Sequence, residues 1–337
     1  MDTPMKILFI TATRLGDAIL SLGLLDHIIR THNGARLTIV CGALPAPLFE
    51  AVPGLEEILI LRKRPWNAHW IDLWRTVRRT RWDMVVDLRD SLVSRLIPAR
   101  TRFIHTRTID RTIHKVEQNA QVMGLLPPPS PRLFLSEFSR AQARSLLPPG
   151  GPVLGIGPTS NWAAKTWPPG CFIDLIHDLI RPGGPLPFAR VAVFAAEDED
   201  HLARPVCDAV PPDLRIDLIG KTDVALAGAC LERCTLYVGN DSGLMHMAAA
   251  AGTPTIGLFG PGWPDIYRPW GPNAAFVSTP QTRAELIDYP GFDPLSAPCL
   301  MTSLSVDRVA QACADLLAFL GEEEQTVRPP RRSGSGR

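Results

Sequence analysis

The 337-residue sequence lacks several features that would place it in particular classes of protein. No uninterrupted apolar stretch reaches about 18 residues, the length that indicates a membrane-spanning helix. The formal net charge is only +1, which argues against a general nucleic-acid binder. The apolar run Ile7–Ile10 near the start is too short for the core of a signal peptide. We therefore expect a globular protein that acts in the cytoplasm and does not bind nucleic acid.

The sequence also lacks the usual signatures of zinc and phosphate-loop sites. Its seven cysteines include no Cys-x-x-Cys pair, and Cys230 and Cys234 have no partner ligands with zinc-like spacing. Free thiols in a reducing compartment are the simplest interpretation. Gly155-Ile-Gly157 lacks the third glycine of a dinucleotide fingerprint, and no loop carries the Lys-Ser/Thr pair of an ATPase. Nucleotide binding, if present, must use another arrangement.

Short apolar runs alternate with amphipathic patterns, which predicts parallel strands alternating with helices. The predicted strands are residues 6–10, 36–41, 57–61, 84–87, 101–105, 153–156, 190–194, 215–219, 235–239 and 255–258. The predicted helices are residues 17–31, 45–52, 66–80, 114–123, 171–180, 201–210, 224–232, 246–251 and 306–320. This order predicts parallel sheets covered by helices on both faces.

Two proline- and glycine-rich stretches, residues 126–131 and 147–152, interrupt the alternation. We therefore predict one doubly wound domain over residues 1–150 and another over residues 151–322, with a cleft between them. Residues 323–337 have no apolar pattern and are expected to be a disordered tail. In doubly wound sheets ligands bind at the carboxyl ends of the strands, so the chemistry should lie in the loops that follow them.

The loop after the first strand, Thr11–Asp17, offers a carboxylate at the start of a helix. Asp17 is either a residue that satisfies free amide groups there or a general base in the cleft. A helix amino end favours the charged form of a carboxylate, so we expect Asp17 to be ionised at neutral pH.

Three loops of the second half combine glycines with polar side chains. Lys165 and Thr166 follow the predicted strand 153–156 and offer a cation and a hydroxyl to a phosphate, although a lone lysine is usually a surface residue. Residues 240–246 bring Ser242 and Gly243 to a helix start, where exposed amides favour a pyrophosphate. Gly260 follows the next strand and is predicted to form a second wall of the same pocket.

These loops, in this order, resemble glycosyltransferase family 9, the ADP-heptose:lipopolysaccharide heptosyltransferases. The matching motifs are Leu15-Gly-Asp-Ala-Ile-Leu20, Trp82-Asp-Met-Val-Val-Asp87 with its polar loop to Arg95, Lys165-Thr-Trp-Pro168, Asn240-Asp-Ser-Gly-Leu-Met-His246, Gly260-Pro261 and Cys299-Leu-Met-Thr-Ser-Leu-Ser-Val306. The resemblance covers about residues 6 to 320. It implies a GT-B fold, two Rossmann-like domains that face a central cleft, and an inverting transfer that needs no metal or other cofactor.

The resemblance also implies roles for individual residues. It makes Asp17 the base and Lys165 a ligand of the donor diphosphate, and it makes Glu197 a ligand of the nucleotide ribose. The pyrophosphate and sugar pocket that it implies consists of Asp241, Ser242, Gly243 and His246. The expected donor is a nucleotide sugar, ADP-heptose, and the expected acceptor is an anionic glycolipid. Fixed cations and amides at the diphosphate would stabilise the charge that develops as the glycosidic bond breaks.

Charge is distributed unevenly along this nearly neutral chain. Between Arg62 and Lys115 there are fourteen basic and five acidic side chains, a net charge of about +9. This excess predicts an anionic acceptor or a membrane surface, with a plain solvated face as the alternative. The arginines predicted to bind the acceptor are Arg62, Arg64, Arg89 and Arg95. The tryptophans at positions 66, 70 and 74 either touch lipid headgroups at the inner membrane or belong to the core.

Two other functions fit the same architecture. A nucleotide-sugar epimerase, such as a UDP-N-acetylglucosamine 2-epimerase, binds its substrate between two similar domains. A non-catalytic sugar-nucleotide-binding protein would use the same donor loops but would not need Asp17.

Overall fold

The computed structural model describes residues 4–294 and 296–327. Its first half is built on a parallel sheet in the order β3-β2-β1-β4-β5. The strands are β1 (Lys6–Ile10), β2 (Arg36–Cys41), β3 (Leu55–Ile60), β4 (Trp82–Asp87) and β5 (Ala99–Ile104). The helices are α1 (Leu15–Ile19), α2 (Leu22–Thr31), α3 (Ala68–Val77), α4 (Val93–Leu96) and α5 (Lys115–Gln121). The central strand β1 pairs in parallel with β2 and β4.

The second half contains a six-stranded parallel sheet in the order β11-β10-β9-β6-β7-β8. The strands are β6 (Val153–Gly157), β7 (Arg190–Val193), β8 (Arg215–Asp217), β9 (Leu236–Asn240), β10 (Thr255–Phe259) and β11 (Ala274–Ser278). The helices are α6 (Glu137–Leu146), α7 (Pro169–Ile180), α8 (Asp200–Ala209), α9 (Val224–Leu231), α10 (Gly243–Ala250), α11 (Pro264–Tyr267), α12 (Arg283–Ile287) and α13 (Val306–Val327). The predicted pair of doubly wound halves is therefore confirmed.

The central strands are buried on both faces, which explains why their sequences are continuous apolar runs. In β1, residues Ile7, Leu8, Phe9 and Ile10 are all 0% exposed. Close packing also explains two glycines in the second sheet. A Cβ at Gly157 or Gly239 would collide with the hydroxyl of buried Tyr237. Glycine at these positions thus lets a tyrosine fill the space at the ends of β6 and β9.

The single helix predicted over residues 17–31 is wrong, because the chain forms α1 and α2 with a break at Leu20 and Ser21. The Ser21 hydroxyl donates to the Ala18 carbonyl at 2.7 Å, and the Asn119 amide donates to the Leu20 carbonyl at 3.0 Å. These side chains engage carbonyls that a continuous helix would pair with its own amides. The break leaves α1 as a short helix that presents Asp17 in its first turn.

The segment before the predicted boundary at residue 150 packs against the second half. Helix α6 lies against α9, and Arg140 forms an ion pair with Glu232 at 2.9 Å. The Leu133 amide donates to the Ala250 carbonyl, and the Arg233 guanidinium donates to the Leu147 carbonyl. The boundary itself stays a prediction, but these contacts show that the chain joins the second half before residue 150.

At the other end, α13 packs against α7 and β11 and continues to Val327. The prediction of a disordered tail is wrong for residues 323–327, where glutamate and glutamine are good helix formers and extend the helix. Residues 328–337 lie outside the described part of the chain. Within the described residues, no helix is long and apolar enough to cross a membrane.

Candidate active site

Most of the predicted site residues lie at the two positions where strand order reverses. The first sheet reverses between β1 and β4, which are followed by Asp17 and Arg89. The second sheet reverses between β6 and β9, which are followed by Lys165 and Asp241. In doubly wound sheets such reversals create the crevice that holds ligands. Each half therefore presents one crevice with polar side chains.

The two crevices are joined by direct packing of α1 on α10. A Cβ on Gly243 would lie 2.7 Å from Leu15 Cδ2, and a Cβ on Gly16 would lie 2.9 Å from His246 Cδ2. Neither glycine position has room for a side chain, so the helices approach at backbone distance. The first turn of α1, which carries Asp17, consequently lies against the first turn of α10.

A cavity of about 340 Å³ opens beside Asp17 and is named the Asp17 pocket here. Its charged lining residues are Arg14, Asp17, Lys63, Arg89 and Lys115. Four cations thus surround one carboxylate in the described lining. This excess of positive charge suits a substrate that carries negative groups and leaves one base for proton transfer.

The loop that presents Arg89 is organised by Asp87 at the end of β4. The Asp87 carboxylate is fully buried and accepts from the Arg89 amide at 2.7 Å. It also accepts from the Ser91 amide at 2.9 Å and the Ser91 hydroxyl at 2.6 Å. A buried carboxylate with this many donors fixes the loop rather than acting on a substrate. Arg89 is held at the pocket by its backbone.

Burial shifts the pKa values of two further pocket residues, Lys115 and Tyr267. Burial lowers the pKa of Lys115, while the nearby Asp17 carboxylate raises it in part. Burial raises the pKa of Tyr267 to about 12, and the Asp17 carboxylate that its phenol faces adds to the shift. Tyr267 therefore stays a neutral hydroxyl at physiological pH. It is the pocket residue that the second half contributes.

In the second crevice, Lys165 forms an ion pair with Asp241 at 3.2 Å. Their side chains are only 15% and 13% exposed, so solvent screens this pair less than a surface pair. Lys165 ends a short 3₁₀ turn after β6, and Asp241 follows β9 directly. The two loops thus hold one cation close to the start of α10.

Asn240 fixes the relative position of these loops. Its side-chain oxygen accepts from the Trp167 amide at 2.9 Å, and its side-chain amide donates to the Pro158 carbonyl at 2.9 Å. Asn240 is fully buried, so these hydrogen bonds are shielded from water. The loop that carries Lys165 is therefore anchored on both sides of the lysine.

The start of α10 leaves its first amides without a side-chain cap. Ser242 occupies the N-cap position, but its hydroxyl makes no capping hydrogen bond and is buried without a partner in the described structure. The first amides of a helix need acceptors and attract anions. With Lys165 beside them, Ser242 and Gly243 offer the donor set that a diphosphate requires.

His246 lies in α10 below these amides and is 5% exposed. Burial lowers its pKa to about 3, and the charges of His114 and Lys165 act in the same direction. Its imidazole is therefore neutral throughout the physiological range. Its Nδ1 atom is buried without a partner in the described part of the chain. The ring can accept or donate one hydrogen bond without adding a charge to the crevice.

Other predicted donor residues occupy less direct positions. The Thr166 hydroxyl shares a hydrogen bond with Ser160 at 2.8 Å, so it stabilises its own loop. Gly260 provides room for Met301, whose Sδ atom a Cβ there would strike. Glu197 is exposed, whereas Glu199 accepts from the Thr159 hydroxyl at 2.8 Å and so contacts the loop after β6. The carboxylate that contacts the loop after β6 is thus that of Glu199, two residues after the predicted Glu197.

Asp198 and Asp200 also flank Glu199 with Asp-x-Asp spacing. Asp200 accepts from the Arg204 guanidinium at 2.6 Å. Among the described residues, no group of three or more histidine, cysteine, aspartate or glutamate side chains is placed to hold a metal ion.

Of the four arginines predicted to bind the acceptor, the structure brings only Arg89 to the Asp17 pocket. Arg62 is exposed, Arg64 is paired with Asp72, and Arg95 is paired with Asp90. The cations that sequence reasoning missed are Arg14, Lys63 and Lys115. The last two belong to the basic segment, but its charge count could not indicate which members face the cleft.

Comparison with known proteins identifies the family of this chain. Residues 105–288, more than half of the chain, match the family model described as glycosyltransferase family 9 (heptosyltransferase). The chain belongs to glycosyltransferase family 9. It is therefore a glycosyltransferase, as predicted from its motifs.

Individual relatives of this glycosyltransferase are distant but cover most of its length. It is 25% identical to lipooligosaccharide heptosyltransferase 2 of Haemophilus influenzae over 313 residues, 81% of this chain and 88% of that protein. The crystal structure of a family 9 glycosyltransferase from Veillonella parvula has a TM-score of 0.76 at 21% identity, covering 95% of this chain and 99% of that one. The structure of E. coli ADP-heptose LPS heptosyltransferase II has a TM-score of 0.72 at 22% identity, and the match covers 95% of this chain and 100% of that one. These structures confirm the GT-B fold.

Proposed function

We propose that this glycosyltransferase transfers heptose from ADP-heptose to an anionic glycolipid acceptor of the lipopolysaccharide core type. The packing of α1 on α10 carries the proposal, because it brings a candidate base and a diphosphate-binding helix start to one cleft. Relatives named as lipopolysaccharide heptosyltransferases support the acceptor class, and an E. coli structure named for ADP-heptose supports the donor. We place the reaction in the cytoplasm, in peripheral contact with the inner membrane.

In the proposed reaction, an acceptor hydroxyl enters the Asp17 pocket and its oxygen attacks the anomeric carbon of the donor sugar. The Asp17 carboxylate accepts the hydroxyl proton as the new bond forms. Attack from the face opposite the diphosphate inverts the configuration of the anomeric carbon. The Tyr267 phenol lines the same pocket as a neutral hydroxyl beside this carboxylate.

As the bond between the sugar and the diphosphate breaks, the electron pair leaves with ADP. Lys165 and the uncapped amides at the start of α10 bind the charge that develops on the leaving oxygen. Neutral His246 adds a hydrogen-bonding group near this charge, and Glu197 and Glu199 bracket the region where we propose the ribose binds. These donors supply the charge stabilisation in the proposed reaction, which uses no metal ion.

A calorimetric screen of nucleotide sugars tests this function. ADP-heptose is expected to bind, and ADP-sugars are expected to bind more tightly than the matching UDP-, GDP- and CMP-sugars. Mass spectrometry should then show the transfer of heptose to a heptose-deficient lipopolysaccharide. The transfer should be the same with and without a chelator. Preferential binding of a UDP-sugar, or interconversion of UDP-N-acetylglucosamine without an acceptor, would instead indicate the epimerase function.

Replacing Lys115 with methionine is expected to raise the KM for the acceptor by about ten- to a hundredfold, because a hydrogen bond to a charged group contributes about 1.5–3 kcal/mol. The Kd for ADP-heptose should not change. Burial lowers the pKa of Lys115, so its charge is lost at lower pH than that of an ordinary lysine. In the native enzyme the acceptor KM should rise at alkaline pH, and Lys115→Met should abolish this rise.

Lys221→Met is the matched control, because Lys221 is half exposed and pairs with Asp217 in the second half. It should leave both constants and their pH dependence unchanged. An unchanged acceptor KM in Lys115→Met would remove this lysine from the acceptor site.

A further inference from the structure

Four large apolar side chains are exposed in the first half, around α3 and α4. Trp66 is 98% exposed, Leu92 71%, Leu96 67% and Ile71 52%. The two helices pack against each other, and the four residues lie on them or within two residues of their starts; the surface around them is named here the α3–α4 face. Clustered exposed apolar side chains usually mark an interaction site.

The core does not require these side chains. Helix α3 buries Leu73 and Val77 and packs Trp70 and Trp74 against the same cluster. Trp70 and Trp74 are thus core tryptophans, whereas Trp66 is not. Ile71 is exposed on the same helix, as is Arg75 one turn later. The α3–α4 face is therefore additional to the apolar surface that holds the fold together.

The backbone at Trp66 also calls for an explanation. Trp66 and Asn67 both have φ of 57°, a left-handed conformation that residues other than glycine rarely adopt. Strained residues of this kind tend to persist where a function uses the geometry. Here the turn leaves an indole ring almost entirely in solvent, where it contributes nothing to the core.

Exposed cations are concentrated on α3 and in the loops that flank it. They are Arg62, Lys63, Arg64, Arg75, Arg78, Arg79 and Arg81. The nearby acids are largely engaged, since Asp72 pairs with Arg64 and Arg75, and Asp90 pairs with Arg95. Tryptophan prefers the interface between lipid and water, and arginine and lysine are attracted to anionic headgroups. This combination matches the surface of an anionic bilayer.

The α3–α4 face adjoins the Asp17 pocket through two loops. Lys63 lines the pocket, and Trp66 follows three residues later in the loop after β3. Arg89 lines the pocket, and Leu92 follows three residues later in the loop after β4. Contact of this face with a bilayer would therefore bring the pocket mouth to the membrane surface.

We propose that the α3–α4 face docks on an anionic phospholipid bilayer, with Trp66, Leu92 and Leu96 inserted among the headgroups and the surrounding arginines on their phosphates. This inference rests on the proposed function in one respect: docking would deliver a membrane-embedded acceptor to Asp17. The docking itself requires neither donor nor acceptor, so it can be tested separately.

Vesicle co-sedimentation tests the proposal without any substrate. The protein should bind vesicles of phosphatidylcholine with phosphatidylglycerol, bind phosphatidylcholine alone poorly, and lose binding as salt increases. The triple variant Trp66→Ser/Leu92→Ser/Leu96→Ser should bind the anionic vesicles about tenfold more weakly. Its Tm and its transfer to a delipidated, soluble acceptor should match those of the native protein, which excludes misfolding.

The control triple variant is Phe138→Ser/Phe188→Ser/Phe319→Ser, since these side chains are 72%, 66% and 49% exposed in the second half. It should bind vesicles like the native protein. Equal losses in both triple variants, or unchanged binding in the α3–α4 variant, would overturn the proposal. So would failure of the native protein to bind anionic vesicles, which would favour a protein partner for this face. Vesicle binding that persists while the donor screen fails would overturn the proposed function alone.

Discussion

Replacing Asp17 with asparagine is expected to lower kcat for heptose transfer by about a thousandfold, because a general base contributes about 10²–10⁴ to a rate. Asparagine keeps the size and one oxygen of the aspartate but cannot accept the proton of the attacking hydroxyl. Binding of ADP-heptose should survive, because the proposed diphosphate ligands lie on the β6 and β9 loops rather than on α1. Single-turnover transfer and calorimetry measure the two effects separately.

Asp26→Asn provides a control in the neighbouring helix. Asp26 pairs with Arg30 on the exposed side of α2, an interaction of the kind that contributes about 0.3–0.5 kcal/mol. This variant should keep the native kcat and show only a small change in stability. If Asp17→Asn also kept its turnover, Asp17 would not be the base. Transfer would then need another acceptor of the hydroxyl proton.

The central strands could be predicted because strands buried on both faces, such as β1 and β10, have continuous apolar sequences. Strand β11 was missed. It lies at the sheet edge, where Phe276 is 40% exposed, and its run Ala274–Ser278 follows a loop rich in glycine and proline. An edge strand needs fewer apolar residues than a central one, so the periodic signal is weak.

Helix α6 was missed for a similar reason. Its sequence, Glu137–Leu146, is mostly polar, and its place in the fold depends on Arg140 and on contact with α9. Helix stability in proteins often comes from tertiary packing rather than from local propensity. The sequence pattern could not reveal a partner that is almost a hundred residues away.

At the site, the loops could be predicted because each follows an apolar strand and carries glycine and polar residues. The contacts between loops could not. Tyr267 reaches the Asp17 pocket from the other half, 250 positions along the chain, and only the packing of α1 on α10 reveals it. Composition likewise predicted a basic acceptor region, but a count of charges could not indicate that Lys63, rather than Arg62 or Arg64, lines the Asp17 pocket.

Replacing Lys165 with methionine is expected to lower kcat by about 10²–10³, comparable to the loss of one oxyanion donor in other enzymes. The lysine pairs with Asp241, which lies just before the start of α10, and no other cation is seen to pair with Asp241 in the described structure. Its removal would leave the nearly buried Asp241 carboxylate unpaired beside an incoming diphosphate. Donor affinity should therefore fall as well, through repulsion and through the unpaired charge.

The double variant Lys165→Met/Asp241→Asn separates these two contributions. Neutralising Asp241 removes the repulsion, so the Kd for ADP should recover most of what the single variant lost. The value of kcat should remain low, because the charge that develops on the leaving oxygen still lacks its cation. Calorimetry with ADP and single-turnover transfer with ADP-heptose measure the two quantities, and Lys221→Met again serves as the control.

One result would refute this role of Lys165 in stabilising the leaving diphosphate. If the double variant regained native kcat together with native donor affinity, Lys165 would act only by neutralising Asp241. The charge on the leaving diphosphate would then be stabilised without the lysine, by the amides of Ser242 and Gly243 and by His246. A low kcat in the double variant, with donor affinity restored, would instead mean that the lysine binds the transition state more strongly than the bound donor. That difference between the two states is what accelerates a reaction.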